Sequence, residues 1–282
     1  MAPLVFFVGA ASSGFGKGIA LEALKQGHKV IATARNSSKI SDLKDKGAVT
    51  FDLDVTHPLE ELKPIVDKAQ QVYGRIDILI NPAGYILEGA IEEATHQETY
   101  DQFNVNVFGV INLTRAVLPH LRAQKSGTIA HFGSLGSWRG SPAAGIYCAT
   151  KWAITGFTES LREEVSPFNI HVISIEPGYF RSGFLNPGAR FSTQKRIEDY
   201  DDTAVGDVRR ALEKTDNNQP GDVEKGCKVI VDVLAGAGKK VPVRLVLGSD
   251  AQAVIRGKCE ETLRLLDEQK ELSFSTDYPK GE

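Results

Sequence analysis

Tyr147 and Lys151 have the side-chain types and the spacing that acid–base chemistry requires. They stand four residues apart in a segment with helical apolar spacing, and residues at i and i+4 share one face of a helix. A lysine ammonium about 5 Å from a phenol contributes roughly 3 kcal/mol at an effective dielectric of about 20, which would lower the tyrosine pKa from about 10 to roughly 8. Ser134 closes an apolar strand thirteen residues before Tyr147. The pair alone also fits a surface tyrosine beside a solvated lysine.

The order of Ser134, Tyr147 and Lys151 resembles the catalytic segment of the short-chain dehydrogenase/reductase family. The resemblance implies that Tyr147 exchanges a proton with the substrate and that Ser134 hydrogen-bonds the substrate oxygen. Lys151 would lower the tyrosine pKa and bind the nicotinamide ribose. Asn106 lies in a predicted helix over residues 95–121 and matches the family's asparagine that kinks this helix and holds a water in a proton relay to Lys151. On its own, a mid-helix asparagine is more often a satisfied polar residue.

A glycine-rich turn joins the first predicted strand, residues 4–8, to a helix that begins near residue 18. Glycines there let the backbone approach a pyrophosphate, which the free N–H groups and the positive end of the helix can hold. A plain tight turn is the alternative. The candidate residues for this contact are Gly9, Ser12, Ser13, Gly14, Phe15 and Gly16.

The turn departs from the family pattern, which is Thr-Gly-x-x-x-Gly-x-Gly. Aligned on Gly14 and Gly16, this chain has Gly9 for the threonine and Ala10 for the first glycine. Either Ala10 adopts a conformation that glycine prefers, at a cost of about 1 kcal/mol, or the turn carries one extra residue and Gly9 is its first glycine.

Arg35 follows the second predicted strand, residues 28–33, where a NAD site would have an acid for the ribose hydroxyls. No acid is present, and the guanidinium could bind a 2′-phosphate, which resembles the NADP-dependent members of the family. We therefore predict NADP(H) as the cofactor, with an exposed loop arginine as the alternative. Asp54 and Val55 follow the third predicted strand, residues 49–53, and match the family segment at the adenine edge, although an aspartate there also fits a turn or helix cap.

A fourth segment follows the strand predicted at residues 76–80. Asn81, Ala83 and Gly84 match the family residues that border the adenosine ribose. Pro82 stands where the family usually has a second asparagine, so this chain lacks one side-chain amide and one backbone N–H. The hydrogen bonds that brace the sheet there must be made differently.

A fifth segment follows the strand predicted at residues 170–175. The resemblance assigns the nicotinamide carboxamide to its residues Pro177, Gly178, Phe180 and Ser182. A simple Pro-Gly turn is the alternative. His131, in the strand predicted at residues 128–132, could be a rival base, but alternation along a strand places it on the face opposite Ser134.

The composition favours a small-molecule partner. The net charge of −3 and the sequence pI near 6.1 give no electrostatic reason to expect nucleic acid or an anionic membrane. The apolar N-terminus lacks a basic region and is too short to span a bilayer, so we expect no transmembrane segment and a cytoplasmic location. Three cysteines without metal-like spacing predict neither a disulfide framework nor a metal site.

Strands that alternate with crossover helices predict one Rossmann-type doubly wound α/β domain over residues 1–282, with a parallel sheet of about seven strands and helices on both faces. Ligands of such sheets lie beyond the carboxyl ends of the strands, where every segment named above is placed. Residues 183–219 have mixed composition and predict a mobile flap over the active site. Residues 250–282 predict a final helix and a polar tail.

The resemblance implies an NADP(H)-dependent oxidoreductase, a ketoreductase that moves a hydride between the nicotinamide and a ketone or secondary alcohol, in the reductive direction. The segments Ala-Thr-Ala-Arg, Leu-Asp-Val-Thr and Asn-Val-Phe-Gly most resemble the branch that includes hydroxysteroid, retinol and acyl-dihydroxyacetone-phosphate reductases. This resemblance implies an apolar or polycyclic substrate. Candidate pocket residues are Trp138, Tyr179, Phe180, Phe184, Leu185 and Phe191, although each also fits core or flap packing.

Two other functions are alternatives to the oxidoreductase, and an oligomeric assembly is also expected. The altered glycine turn and Pro82 would suit a non-redox protein of the same fold, either a substrate-shaping cyclase or isomerase or a binding protein. A sugar epimerase or dehydratase is disfavoured because those relatives usually carry a longer substrate domain. Relatives commonly pair through the helices near residues 95–121 and 145–165, so we expect a homodimer or homotetramer.

Overall fold

A parallel sheet forms the centre of the computed structural model, which describes residues 2–236 and 241–278. In chain order the strands are β1 Val5–Val8, β2 Lys29–Ala34, β3 Val49–Asp52, β4 Ile78–Asn81, β5 Ile86–Glu88, β6 Gly127–Phe132, β7 Ile170–Pro177, β8 Arg190–Ser192 and β9 Arg244–Leu247. The main sheet has the order β3-β2-β1-β4-β6-β7-β9, and all its strand pairs are parallel. The predicted doubly wound sheet of about seven strands is therefore confirmed.

Helices cover both faces of this sheet. They are α1 Gly14–Lys25, α2 Ser41–Asp45, α3 Leu59–Tyr73, α4 His96–Phe103, α5 Val110–Gln124, α6 Gly145–Val165, α7 Ala204–Thr215, α8 Val223–Ala235, α9 Ser249–Glu268 and α10 Lys270–Phe274. In β1, Phe6 packs in the core that α1 and α8 close, whereas Phe7 packs in the core that α3, α5 and α6 close. Because both faces are buried, the central strands are continuous apolar runs rather than alternating ones.

The long helix predicted over residues 95–121 is interrupted. Between α4 and α5 the chain forms a π-helical stretch, Asn104–Gly109, which contains Asn106. Such single-turn π segments are frequent at functional sites. This stretch gives the helix an irregularity at the asparagine where a kink was predicted.

Residues 183–219, which we call the lid, have regular elements that their mixed composition did not predict. Within the lid, β8 pairs in parallel with β5, outside the main sheet. A 3₁₀ turn at Glu198–Tyr200 and then α7 follow. The lid is therefore attached to the body of the protein through its own small sheet.

The C-terminal part ends in the predicted helix, formed by α9 and α10, and residues 279–282 of the predicted tail lie outside the described residues. Within the described ranges, no helix has the length and apolarity needed to cross a membrane. Across the same residues, His, Cys, Asp and Glu side chains form no cluster of three suited to a metal ion. The three cysteines are free thiols.

Candidate active site

A cleft of about 920 Å³ lies at the carboxyl ends of β1, β4, β6 and β7. It brings together segments that are far apart in the sequence. Of the residues predicted from sequence, it is lined by Gly9, Ser12, Ser13, Gly14, Phe15, Gly16, Arg35, Asp54, Val55, Ala83, Gly84, Ser134, Tyr147, Lys151, Pro177, Gly178, Phe180 and Ser182. Asn81 and Asn106, also predicted as site residues, do not line it.

Tyr147 and Lys151 stand on the first turns of α6, and Ser134 begins the turn after β6. The Lys151 Nζ lies 5.6 Å from the centroid of the Tyr147 ring and donates a hydrogen bond to the Phe132 carbonyl at 2.7 Å. The Ser134 hydroxyl accepts a hydrogen bond from the Gly136 N–H at 3.1 Å, which orients it in the turn. The three side chains therefore face one part of the cleft.

The electrostatics of this group differ from the expectation of a lowered tyrosine pKa. Burial raises the pKa of Tyr147 above its usual range, and a hydrogen bond with Ser134 offsets only part of that rise. Burial also lowers the pKa of Lys151 to about 8. The prediction from sequence was wrong because it counted the charge of Lys151 and not the desolvation of both groups. At neutral pH, the Tyr147 phenol is therefore protonated.

Asn106 lies behind the cleft wall and braces it. Its Oδ1 accepts a hydrogen bond from the Tyr85 N–H at 3.0 Å, and its Nδ2 donates to the Tyr85 carbonyl and to Thr150 Oγ1. A Cβ on Gly84 would lie 3.4 Å from Asn106 Oδ1 and 3.6 Å from Lys151 Nζ, so these two side chains flank Gly84. The hydrogen bonds of the Asn106 side chain go to Tyr85 and Thr150. The role of Asn106 in a proton relay stays a prediction.

The glycine turn is shaped for close contact. A Cβ on Gly16 would lie 1.9 Å from the Ala10 carbonyl oxygen, and Gly14 has a φ of +52°. Ala10 does not have a positive φ, so the conformational cost foreseen for it does not arise. Ser13 precedes α1 in an extended conformation without capping it, and the first turn of α1 has no acidic residue. The free N–H groups at this helix end can hold an anion.

Arg35 is exposed at the edge of the cleft and forms no ion pair with any residue that the structure describes. Asp54 accepts hydrogen bonds from the N–H and the hydroxyl of Thr56 at 3.0 and 2.8 Å. Asp54 thus caps a turn, which was the alternative to a cofactor contact, and it also lines the cleft. Arg35 is therefore the cationic side chain at this end that is available to a ligand.

Asn81 and His131 belong to a buried polar chain behind the cleft. Asn81 Nδ2 donates to Thr114 Oγ1, which also bonds His131 Nε2 at 3.0 Å, and His131 Nδ1 lies 2.9 Å from Thr158 Oγ1. Burial lowers the pKa of His131 to about 3. Asn81 does not line the cleft and its Nδ2 is bonded to α5, so its contact with a cofactor stays a prediction. His131 lies away from Ser134 and Tyr147, as strand alternation predicted.

The remaining cleft wall is largely apolar. The Phe184 ring lies 5.8 Å from the Tyr147 ring, and Tyr85 and Phe191 meet edge to face at 5.3 Å. Trp138, a predicted pocket residue, does not line the cleft, since its Nε1 donates to Glu176 and Arg244 stacks on its ring. No motif or spacing indicated the lining residues Tyr85, Cys148, Leu212 and Gln219.

A family model described as short chain dehydrogenase matches residues 4–190, a span that contains the glycine turn, Ser134, Tyr147 and Lys151. The chain belongs to the short-chain dehydrogenase family. A crystal structure of a short-chain dehydrogenase from Streptomyces avermitilis is 36% identical, with a TM-score of 0.89 over 98% of this chain and 100% of the other. This agreement in both sequence and fold extends the similarity beyond the matched span.

Two curated relatives are similar over nearly their whole length. The oxidoreductase BOA17 of Botryotinia fuckeliana is 35% identical over 277 residues, which is 96% of this chain and 98% of the relative. The 3-ketodihydrosphingosine reductase of Bacteroides thetaiotaomicron is 35% identical over 258 residues, 90% of this chain and 91% of the relative. This short-chain dehydrogenase is thus an oxidoreductase that acts on alcohol and carbonyl groups.

Proposed function

We propose that this short-chain dehydrogenase is an NADP(H)-dependent ketoreductase that reduces the carbonyl of an apolar substrate. One observation carries the proposal: the glycine turn and the side chains of Ser134, Tyr147 and Lys151 open into the same cleft. The turn fits a dinucleotide, because Gly16 lets α1 start directly against the Ala10 carbonyl and the free N–H groups at the end of α1 can bind phosphates. The bound nicotinamide would supply or accept the hydride.

The residues around the reacting carbonyl divide the proton chemistry. The Tyr147 phenol, kept protonated by its raised pKa, donates its proton to the carbonyl oxygen as negative charge develops there. The Ser134 hydroxyl donates a hydrogen bond to the same oxygen and orients it. The Lys151 ammonium, 5.6 Å from the Tyr147 ring, stabilises the phenolate that remains. A protonated phenol at neutral pH is the state that carbonyl reduction requires.

The preference for NADP(H) is proposed from Arg35. Its guanidinium has the charge and the donors for a 2′-phosphate, and no described residue competes for it by an ion pair. Because charge-assisted hydrogen bonds contribute about 1.5–3 kcal/mol, Arg35→Ala should weaken NADPH binding roughly 10- to 100-fold and leave NADH binding little changed. Fluorescence titration of both cofactors measures this, with Lys39→Ala as a control on an exposed lysine outside the cleft. An equal loss for both cofactors would refute the assignment.

The apolar substrate is proposed from the lid side of the cleft, where Tyr179, Phe184, Leu185 and Phe191 contribute to the lining. Such a surface rewards burial of hydrocarbon. The name of one relative, 3-ketodihydrosphingosine reductase, describes the reduction of a ketone. A panel of aliphatic and polycyclic ketones, followed by the absorbance of NADPH, would identify the preferred class.

Tyr147→Phe tests the chemistry directly. The variant should lose turnover by at least about 10³-fold, since the general acid is removed, while its affinity for NADPH stays nearly that of the wild type. Tyr100→Phe, an exposed tyrosine outside the cleft, is the matched control. Retained turnover in Tyr147→Phe would discard the catalytic assignment. A wild-type protein that binds no NADPH at micromolar concentration would instead favour the non-redox alternative.

We also propose that residues 1–282 act as one catalytic domain that assembles as a homodimer or homotetramer. Phe108 in the π-helical stretch and Trp152 on α6 are 44% and 50% exposed, so apolar surface is available on those helices. Light scattering after size-exclusion chromatography would give the mass of the assembly, and a monomer would contradict the proposal.

A further inference from the structure

Gln219 places a buried amide in the cleft wall without a partner for its oxygen. The residue is 2% exposed, and its Oε1 is buried with no hydrogen bond to any atom of the described residues. Its Nε2 likewise donates to no described residue, although the side chain lines the cleft. Buried polar groups are nearly always paired, so an orphaned amide in a binding cleft indicates a ligand group.

The backbone around Gln219 is held firmly. Arg181 Nε donates to the Gln219 carbonyl at 2.8 Å, and the Arg181 N–H donates to the Gly221 carbonyl at 3.0 Å. The Gly221 N–H in turn donates to the Tyr179 carbonyl at 2.9 Å. The amide therefore cannot find a partner by a shift of its loop without breaking these bonds.

The lid contributes aliphatic side chains to the same cleft. Leu185 and Leu212 are each 4% exposed and line the cleft together with Val208. Gln219 itself ends the lid, beyond the span that the family model matches. An unpaired amide in a cleft with such aliphatic lining suits a neutral hydrogen-bonding group on an otherwise apolar molecule, because a charged group would be poorly solvated there.

We propose that Gln219 is a specificity-determining residue whose unpaired side-chain amide hydrogen-bonds a hydroxyl group of the substrate, remote from the carbonyl that is reduced. This proposal rests on the ketoreductase function and narrows its substrate to an apolar hydroxyketone. A site built to bond a hydroxyl discriminates against the analogue that lacks it, because the amide then stays unpaired. Discrimination of about 10- to 100-fold in kcat/KM is expected.

The first arm of the test needs no substrate. Gln219→Leu replaces an unpaired amide by an apolar side chain of similar size, so the midpoint of urea unfolding should stay equal or rise. Gln102→Leu is the matched control, since Gln102 is fully buried and its amide bonds the Leu87 N–H and the Tyr85 carbonyl. Gln102→Leu should lower the midpoint. An equal fall in both variants would show that the Gln219 amide is structural and would overturn the proposal.

The second arm compares 2-decanone with a set of its monohydroxylated analogues, using NADPH. Wild-type protein should prefer at least one analogue by 10-fold or more in kcat/KM, and Gln219→Leu should bring that ratio close to one. A preference that survives in the variant, or a 10-fold loss of NADPH affinity in it, would overturn the proposal, since the amide would then serve another group or the cofactor. If the wild type binds NADPH but reduces none of these ketones, the proposed ketone substrate fails, and the unfolding arm still decides whether the amide is free.

Discussion

Arg209 on α7 holds the lid to the body through buried carboxylates, and its removal should be costly. Its Nη2 pairs with Glu93 Oε2, its Nη1 lies 3.3 Å from Asp201, and its Nε lies 4.0 Å from Glu88. The Glu93 side chain is fully buried and that of Arg209 is 10% exposed. Breaking a buried pair by deleting one partner costs about 3–5 kcal/mol, because a charge is left uncompensated. Arg209→Met should therefore destabilise the protein by about that amount.

The neighbouring Arg210 provides the control. It pairs with Asp207 at 2.8 Å, but both side chains are more than half exposed, so Arg210→Met should cost less than about 1 kcal/mol. Urea unfolding measures both variants. If Arg209→Met is no worse than Arg210→Met, the buried pair contributes nothing and the reasoning is refuted. Adding Glu93→Gln to Arg209→Met should recover part of the loss, since it removes the stranded charge.

The pH dependence of this cost has a defined sign. Burial raises the pKa of Glu93, but hydrogen bonds from the Ile197 and Ala90 N–H groups and the charge of Arg209 outweigh it, so that the pKa lies below its usual value. A carboxyl with a lowered pKa in the folded state stabilises above its unfolded pKa of about 4.3, and this contribution is lost as the pH falls through the folded value. The difference between wild type and Arg209→Met should therefore shrink below pH 4.

Two further variants test the buried bases of the site and the sheet. Because burial lowers the pKa of Lys151 to about 8, the unfolded protein binds more protons between pH 8 and 10.5, and wild-type stability should gain about 3 kcal/mol over that interval. Lys151→Met should abolish turnover and lack this gain in urea unfolding; parallel pH profiles of the two proteins would contradict the assignment. Burial lowers the pKa of His131 to about 3, so below pH 6.5 the unfolded state binds a proton that the folded state does not bind. The free energy of unfolding of the wild type should therefore fall by about 4 kcal/mol by pH 3.5. His131→Asn should lack this acid-dependent loss and keep its turnover at pH 7, and a variant without turnover would show that His131 takes part in the reaction.

The main sheet could be predicted because its strands are apolar runs buried on both faces. The runs around Phe6, Ile80 and Val172 can be satisfied only by helices above and below them. The motifs could be placed because all of them follow such strands, and parallel strands end at one edge. This reasoning needs only local pattern and the rule of right-handed crossovers.

The lid could not be predicted in the same way. Glu88, Glu93 and Arg209 read as surface charges in the sequence, yet each is at least nine-tenths buried, because they neutralise one another across 116 residues of chain. The strands β5 and β8 are three residues each, too short for a periodic signal. The prediction of a lowered pKa for Tyr147 was wrong for a related reason, since desolvation depends on neighbours that the sequence does not identify.

The pairing of β5 with β8 separates two tasks in this enzyme. Ser134, Tyr147 and Lys151 are held by elements that pack on the seven-stranded sheet, whereas the lid side of the cleft is attached through a six-residue ribbon and the ionic cluster beside it. Exchanges at residues 188 and 189, which line the cleft beyond Phe184, can thus reshape this wall without altering the ring that packs on Tyr147. Such an arrangement lets one reaction be retuned for new molecules without rebuilding the part that performs it.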